Sequence, residues 1–227
     1  MKQDDKIELL NFLESFISEN KRDLFKQIIE FRTRYITVVL EDIYQPHNAS
    51  AVLRTCDCFG VQDVHIIENR NIYEVNPDVA LGSSKWLTLE KYNTAKNNTV
   101  DTINKLKSKG YKIVATTPHK NDTPLSQLDL SKKTALLFGT ELKGLSDIAL
   151  KNADAFVKIP MVGFTESFNI SVSAAIILHQ LTEKLRASDY KWQLTDKEKL
   201  DIRLDWVKNV LKNSDLVEEE FWTRRTQ

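Results

Sequence analysis

Tyr35-Ile36-Thr37-Val38-Val39-Leu40 is an unbroken β-branched and apolar run, the kind that fills a strand buried on both faces. Pro46 then breaks the chain. Asn48 or Ser50 stands where a side chain can cap a helix running to Cys58, and Gly60 would stop it. Residues 61–68, with Val64-His65-Ile66-Ile67, give the next strand. The alternation continues downstream: a helix over 100–109 ended by Gly110, a strand over 111–116, and another over 134–139. A helix over 146–152, a short strand over 155–159 and a long apolar helix over 169–184 follow. Strands alternating with helices predict a mainly parallel sheet covered by helices on both faces, an α/β fold. Upstream, Leu9, Leu10, Leu13, Phe16 and Ile17 recur at helical spacing, so 7–34 is expected to be helical. Leu200, Leu204, Val207, Val210 and Leu211 mark the last forty residues in the same way. The expected division is a helical extension over 1–34, the α/β domain over 35–185 and a helical tail over 186–227.

Composition narrows the function classes. Lys plus Arg equals Asp plus Glu at 32 each, so the chain lacks the overall basic excess usual for a nucleic-acid binder. Distribution matters more than the sum. Between Asn20 and Tyr35, Lys21, Arg22, Lys26, Arg32 and Arg34 face only Asp23 and Glu30, while residues 215–220 are acidic. Cys56 and Cys58 would point about 200° apart on a helix, so they can neither pair nor chelate together. The four histidines show no zinc-ligand spacing, and the expectation is a metal-free protein of a reducing compartment, the cytoplasm. No apolar run approaches 18 residues and the start has no signal-peptide pattern, so no membrane attachment is expected.

Nucleotide-type ligands bind α/β sheets beyond the carboxyl ends of the strands. Neither G-x-G-x-x-G nor G-x-x-x-x-G-K-[ST] occurs, and six glycines could hardly furnish such a fingerprint. Three other segments sit where a strand hands over to a helix. The first runs from Pro46-His47-Asn48 through Arg54 to Gly60. The second is Leu137-Phe138-Gly139-Thr140-Glu141-Leu142-Lys143-Gly144-Leu145-Ser146. The third is Ile159-Pro160-Met161-Val162-Gly163-Phe164-Thr165-Glu166-Ser167-Phe168-Asn169-Ile170-Ser171-Val172-Ser173-Ala174-Ala175. Taken singly, each has an ordinary structural explanation. Asn48, Ser167 and Asn169 can cap helices, Gly139 and Gly144 can form turns, Glu141 can face a helix dipole, and Arg54 can be a surface ion-pair partner.

In this order, however, the three segments resemble the motifs of the TrmH/SpoU branch of the SPOUT methyltransferases. The family pattern is N-x-x-x-x-x-R, then a strand ending in G-x-E, then I-P-M-x-G-x-x-x-S-L-N-x-S-x-A-A. Inside the last motif Phe168 stands in place of leucine. Gly82-Ser83-Ser84-Lys85-Trp86 also resembles a stretch of the branch that modifies the tRNA D-loop, and the likeness spans about 35–185. The resemblance implies an RNA 2′-O-ribose methyltransferase that uses S-adenosylmethionine, folds with a deep C-terminal trefoil knot and works as a homodimer with its sites near the subunit interface. It assigns Thr116, Gly139, Glu141, Ile159, Met161 and Phe168 to the cofactor pocket. Asn48, Arg54, Glu141, Ser167 and Asn169 become the catalytic surroundings. Arg54 carries the proton chemistry, either as a base or as a fixed charge on the emerging alkoxide. The expected substrate is a guanosine ribose in tRNA, gripped by Lys21, Arg22, Lys26, Arg32 and Arg34, with Arg224 and Arg225 as further candidates. Ribosomal RNA is the alternative substrate, and a non-catalytic RNA-binding protein the alternative class.

Overall fold

The computed structural model describes residues 1–73, 77–80, 82–118 and 123–226. Helices α1 (Gln3–Glu14) and α2 (Glu19–Ile29) precede strand β1 (Ile36–Glu41) and helix α3 (Pro46–Cys58). Next come β2 (Asp63–Ile67), the single-turn α4 (Pro77–Ala80), β3 (Thr88–Tyr92), α5 (Asn98–Ser108), β4 (Lys112–Thr116) and the two-residue β5 (Thr123–Pro124). Then follow β6 (Thr134–Phe138), α6 (Asp147–Asn152), β7 (Ala155–Lys158), α7 (Ile170–Arg186), α8 (Asp196–Val210) and α9 (Ser214–Thr226). The chain divides into two compact units, Thr33–Trp192 and a second made of Met1–Arg32 together with Gln193–Gln227.

In the larger unit the described strands form one sheet in the order β3-β2-β1-β6-β4-β7-β5. Every pairing is parallel. Strands β1, β2 and β6 are buried along their whole length, as a sheet covered on both faces requires. Alternate residues serve opposite layers. Val38, Leu40, Val64, Ile66, Leu136 and Phe138 pack with Val52, Leu53 and Cys56 of α3 and with Ala174, Ile177, Leu178 and Leu181 of α7. Val39, Ile67, Ile113, Ala135 and Leu137 pack on Ile103 and Leu106 of α5 and Ala149 of α6. Each such buried aliphatic side chain stabilises the sheet by about 1.5–3 kcal/mol.

The strand order decides where a ligand can sit. From β1 the chain first goes outward to β2 and β3, and β6 later enters on the other side of β1. The order therefore reverses between β1 and β6, and a crevice opens beyond their carboxyl ends. The segment after β5 lies across α7. Leu125, Leu128 and Leu130 share its core layer, and Lys184 Nζ donates to the Leu128 carbonyl at 2.6 Å.

Several local expectations shift. Helix α3 starts at Pro46 with Gln45 at its N-cap, so Asn48 lies inside the first turn, Ser50 just beyond it, and neither is the N-cap. Pro46 fits there because the first helical residue needs no N–H partner. Gly60 takes a left-handed φ of 75° just beyond the helix, as a stop should. Cys56 is buried and Cys58 exposed, and no disulfide joins them.

The smaller unit is helical. Thr195 and Glu198 form a reciprocal capping box at the start of α8. Leu9, Leu10 and Leu13 of α1, Phe25 and Ile29 of α2, and Leu200, Ile202, Leu204, Trp206 and Val207 of α8 supply its buried side chains. Among the described residues no helix is long and apolar enough to cross a membrane.

Candidate active site

Three loops meet at the crevice. After β1 the chain turns into α3, whose first turn carries Asn48, 4% exposed. After β6, Thr140 and Gly144 exchange backbone hydrogen bonds of 3.0 and 2.9 Å, closing a tight loop with Glu141, Leu142 and Lys143 at its tip. Gly139 must lack a side chain, because a Cβ there would lie 2.2 Å from the Gly144 and Leu145 backbone. Gly144 adopts a φ of 67°, and Ser146 caps α6 by accepting from Ala149 N–H. After β7 a long irregular segment reaches Asn169, the N-cap of α7, whose side chain accepts from Ser171 N–H at 2.8 Å.

Asn48 joins the three. Its Nδ2 donates to Glu141 Oε1 at 2.7 Å and to Gln45 Oε1 at 3.1 Å, while its Oδ1 accepts from Asn169 Nδ2 at 3.1 Å. Side chains 93 and 121 positions away along the chain thus share one carboxamide. The second loop is anchored from below by Glu41 at the end of β1. That carboxylate, 2% exposed, accepts from Thr99 Oγ1 (2.6 Å), Ser146 N–H (2.8 Å) and Ser146 Oγ (2.7 Å).

Beside this junction lies a cleft of about 330 Å³. Thr116 from the end of β4, Gly139 and Glu141 from the second loop, and Ile159, Met161, Ser167 and Phe168 after β7 all line it. Thr116 turns its hydroxyl to the Leu137 carbonyl at 2.8 Å, tying two cleft walls together. Every residue expected in the cofactor pocket is therefore in the cleft, and Asn48 and Asn169 of the catalytic set are bonded to its edge or to each other. The volume is at the small end for a ligand site. An apolar side of Ile159, Met161, Phe168 and Ile170 faces the peptide-rich 139–144 loop, a combination suited to a purine ring and its polar edge.

Arg54 stands apart. It is exposed on α3 and does not line the cleft. Six residues after Asn48, a helix has turned by about 240° and risen about 9 Å, so the two side chains leave α3 in different directions.

The expected RNA contacts divide. Lys21 and Lys26 are exposed on α2, with Arg22 partly so. Arg32 is corrected: it is 3% exposed, with its guanidinium 5.3 Å over the Trp206 ring. Arg34 is partly exposed and pairs with Asp63 at 3.0 Å. Of the tail arginines, Arg225 pairs with Asp5 and Glu8, and Arg224 with Glu220. Gln45 and Glu41 carry no motif signal in the sequence. Only the meeting of their loops gives them a role. Among the described residues no group of three or more His, Cys, Asp or Glu side chains is placed to hold a metal.

Residues 35–179 match the SpoU rRNA Methylase family. The chain is 45% identical to the tRNA (guanosine(18)-2′-O)-methyltransferase of Borreliella burgdorferi over 95% of this chain and 97% of that one. It is 33% identical to the enzyme of the same name from Thermus thermophilus, over 84% of this chain and 97% of the relative. Among solved structures, the Aquifex aeolicus TrmH/SpoU tRNA modifying enzyme superposes with a TM-score of 0.75 at 30% identity, covering 86% and 98% of the two chains.

Proposed function

The chain belongs to the SpoU rRNA Methylase family, and from that membership we propose that it transfers the methyl group of S-adenosylmethionine to the ribose 2′-oxygen of guanosine 18 in tRNA. The observation that carries the reading is the single hydrogen-bonded junction of Asn48, Glu141 and Asn169 beside a cleft that holds the whole expected cofactor set. When bound, S-adenosylmethionine supplies an already electrophilic methyl group on a sulfonium. What the protein must add is alignment of the 2′-hydroxyl and removal of its proton. Asn48, itself held by Asn169, fixes the Glu141 carboxylate in one orientation, so the polar wall is set before RNA arrives. Ser167, exposed at the cleft lip, is placed to meet the ribose or its phosphate.

Arg54 acts either as a deprotonated base in the assembled site or as a charged guanidinium that stabilises the alkoxide. Because it points away from its own chain's cleft, we place it in the site of a second copy. The protein then works as a homodimer in which the partner's Arg54 completes each cleft. Support comes from apolar side chains left in solvent around the cleft loops: Leu142, Val162 and Phe164 are essentially fully exposed, and Phe168 and Val172 partly so. Contiguous exposed apolar surface of this kind marks an interface. The placement of β6 between β1 and β4, with the 125–130 stretch across α7, likewise supports the C-terminal trefoil knot.

The test is to incubate the protein with unmodified tRNA and S-adenosylmethionine and then map ribose methylation. A 2′-O-methyl group at guanosine 18 is expected. Transfer to ribosomal RNA alone would move the substrate, and failure to bind S-adenosylmethionine would sink the enzymatic reading altogether.

A further inference from the structure

At the other end of the sheet, where β4 and β6 begin, a second and shallower depression is lined by Lys107, Lys112, Lys132, Asp129, Ser131 and Asp154. The local chain path gathers lysines here. Lys107 lies in the last turn of α5, Lys112 opens β4, and Lys132 and Lys133 lead into β6. The Lys112 backbone N–H donates to the Lys133 carbonyl at 2.7 Å, which sets those two residues side by side. Lys133 extends its ammonium over the Tyr111 ring at 5.7 Å.

Two carboxylates share the area, and both are already engaged. Asp154 accepts from Lys107 Nζ at 2.7 Å and from the Ile113 N–H at 2.8 Å. Burial raises its pKa, but those bonds and the charges of Lys107 and Lys112 outweigh that and hold it below the usual carboxylate range. Asp129 accepts from the Ser131 hydroxyl and N–H at 2.6 and 2.9 Å. Those bonds, then the charges of Lys112 and Lys184, hold it low as well. Five ammonium groups (Lys107, Lys112, Lys132, Lys133 and Lys184) thus face two carboxylates. That leaves a local excess of three positive charges on a chain whose formal net charge is zero. Among the described residues the lining is polar apart from Tyr111, whose ring is largely buried. Charge without an exposed large apolar side chain suits a phosphate backbone better than a protein or membrane partner.

We propose that this lysine shelf grips the phosphate backbone of the RNA substrate at a distance from the ribose being methylated. The inference rests on the RNA-methyltransferase reading and extends it. Lys112 and Thr116 bound β4, so the shelf lies about 13 Å from the cofactor cleft along the strand alone. Shelf and cleft lie toward opposite ends of the strands, so we assign the shelf to phosphates of an arm beyond the target loop.

The test measures RNA affinity directly, so it does not depend on turnover. Lys112→Gln/Lys132→Gln/Lys133→Gln is compared with the unaltered protein for binding to full-length tRNA and to an isolated stem–loop carrying only the target loop. The triple variant should bind tRNA about tenfold more weakly near 0.1 M salt, with a salt slope shallower by about 2–3, as loss of three phosphate contacts requires. Its affinity for the stem–loop and for S-adenosylmethionine should stay unchanged. Asp129→Asn, which removes a negative charge from the shelf, should shift tRNA affinity the other way, a gain that misfolding cannot produce. Equal tRNA affinity and slope in all three proteins overturns the proposal, as does an equal loss on the stem–loop. Failure of methyl transfer by the unaltered protein would instead strike the parent reading.

Discussion

Asn48 makes three of the four hydrogen bonds its carboxamide can form, and each goes to a different segment of the chain. That use explains why the residue is an asparagine. A carboxylate cannot donate to Glu141, and an aliphatic side chain would break the bonds that tie Glu141 and Asn169 together. Asn48→Asp sets a second carboxylate within hydrogen-bond distance of Glu141, forcing repulsion or uptake of a proton. Methyl transfer by this variant should fall by about 100-fold or more, because an alignment bond becomes a like-charge contact worth a few kcal/mol. Single-turnover assays at saturating tRNA and cofactor read this directly, and a rate within a few-fold of the unaltered enzyme would remove Asn48 from the alignment role. At this scale the sequence shows the site well, since Asn48, Glu141 and Asn169 all lie in motif segments. It does not show Glu41 or Gln45, which matter only because distant loops arrive beside them. It also overreads Arg32, since a string of like charges does not reveal that the side chain is buried against Trp206.

At the scale of elements, the strands with unbroken apolar runs, β1, β2 and β6, are legible from composition. Strand β3 is not, because Thr88-Leu89-Glu90-Lys91-Tyr92 is half-exposed at the sheet edge and reads as a charged loop. Its charges are structural. His65, 1% exposed on β2, has Nδ1 3.0 Å from the Tyr92 hydroxyl, which in turn donates to Glu90 at 2.7 Å, and Lys105 and Lys109 close on Glu90 from α5. Burial lowers His65 to about 4, with Lys109 and Lys105 adding to the effect and Glu90 opposing it. The imidazole is therefore neutral at pH 7, and its 3.8 Å approach to Glu90 is not an ion pair there. Burial raises Glu90, but the bonds from Lys105 and Tyr92 win and bring it to about 2. Both folded values lie below the unfolded ones, so in each case the unfolded chain takes up its proton first as pH falls. Stability contributed by His65 is complete above 6.5 and drains away between 6.5 and about 4. That of Glu90 drains between 4.5 and about 2. Urea melts from pH 7 to pH 4 should show a loss approaching about 1.4 kcal/mol per unit from His65. His65→Gln should flatten that part of the profile while starting from a lower stability at pH 7. An unchanged slope in the variant would show that other groups govern the acid limb.

At the scale of the whole molecule, the element types can be read along the chain but their order in the sheet cannot. Inserting β6 between β1 and β4 depends on pairings between residues about a hundred positions apart, such as Val38 with Leu136, which no local pattern encodes. The same holds for the two ends, which look like separate helical additions yet pack α1 and α2 with α8 in one unit. Arg54 shows what this level adds to function. The sequence puts it six residues from Asn48, whereas the folded helix directs it into solvent and out of the cleft. If the partner's Arg54 serves each site, Arg54→Ala and Asn48→Ala subunits, each inactive alone, should complement one another when mixed. In a mixed dimer one cleft has both an intact Asn48 and a partner that still carries Arg54, and the other cleft has neither. Random pairing of equal amounts makes half the dimers mixed, so the expected recovery is about a quarter of the unaltered activity. Co-expression with two affinity tags isolates the mixed dimers and raises the expected value to about a half. An arginine that works on its own chain's cleft would give no recovery at all, because each subunit would then carry one broken half of its own site.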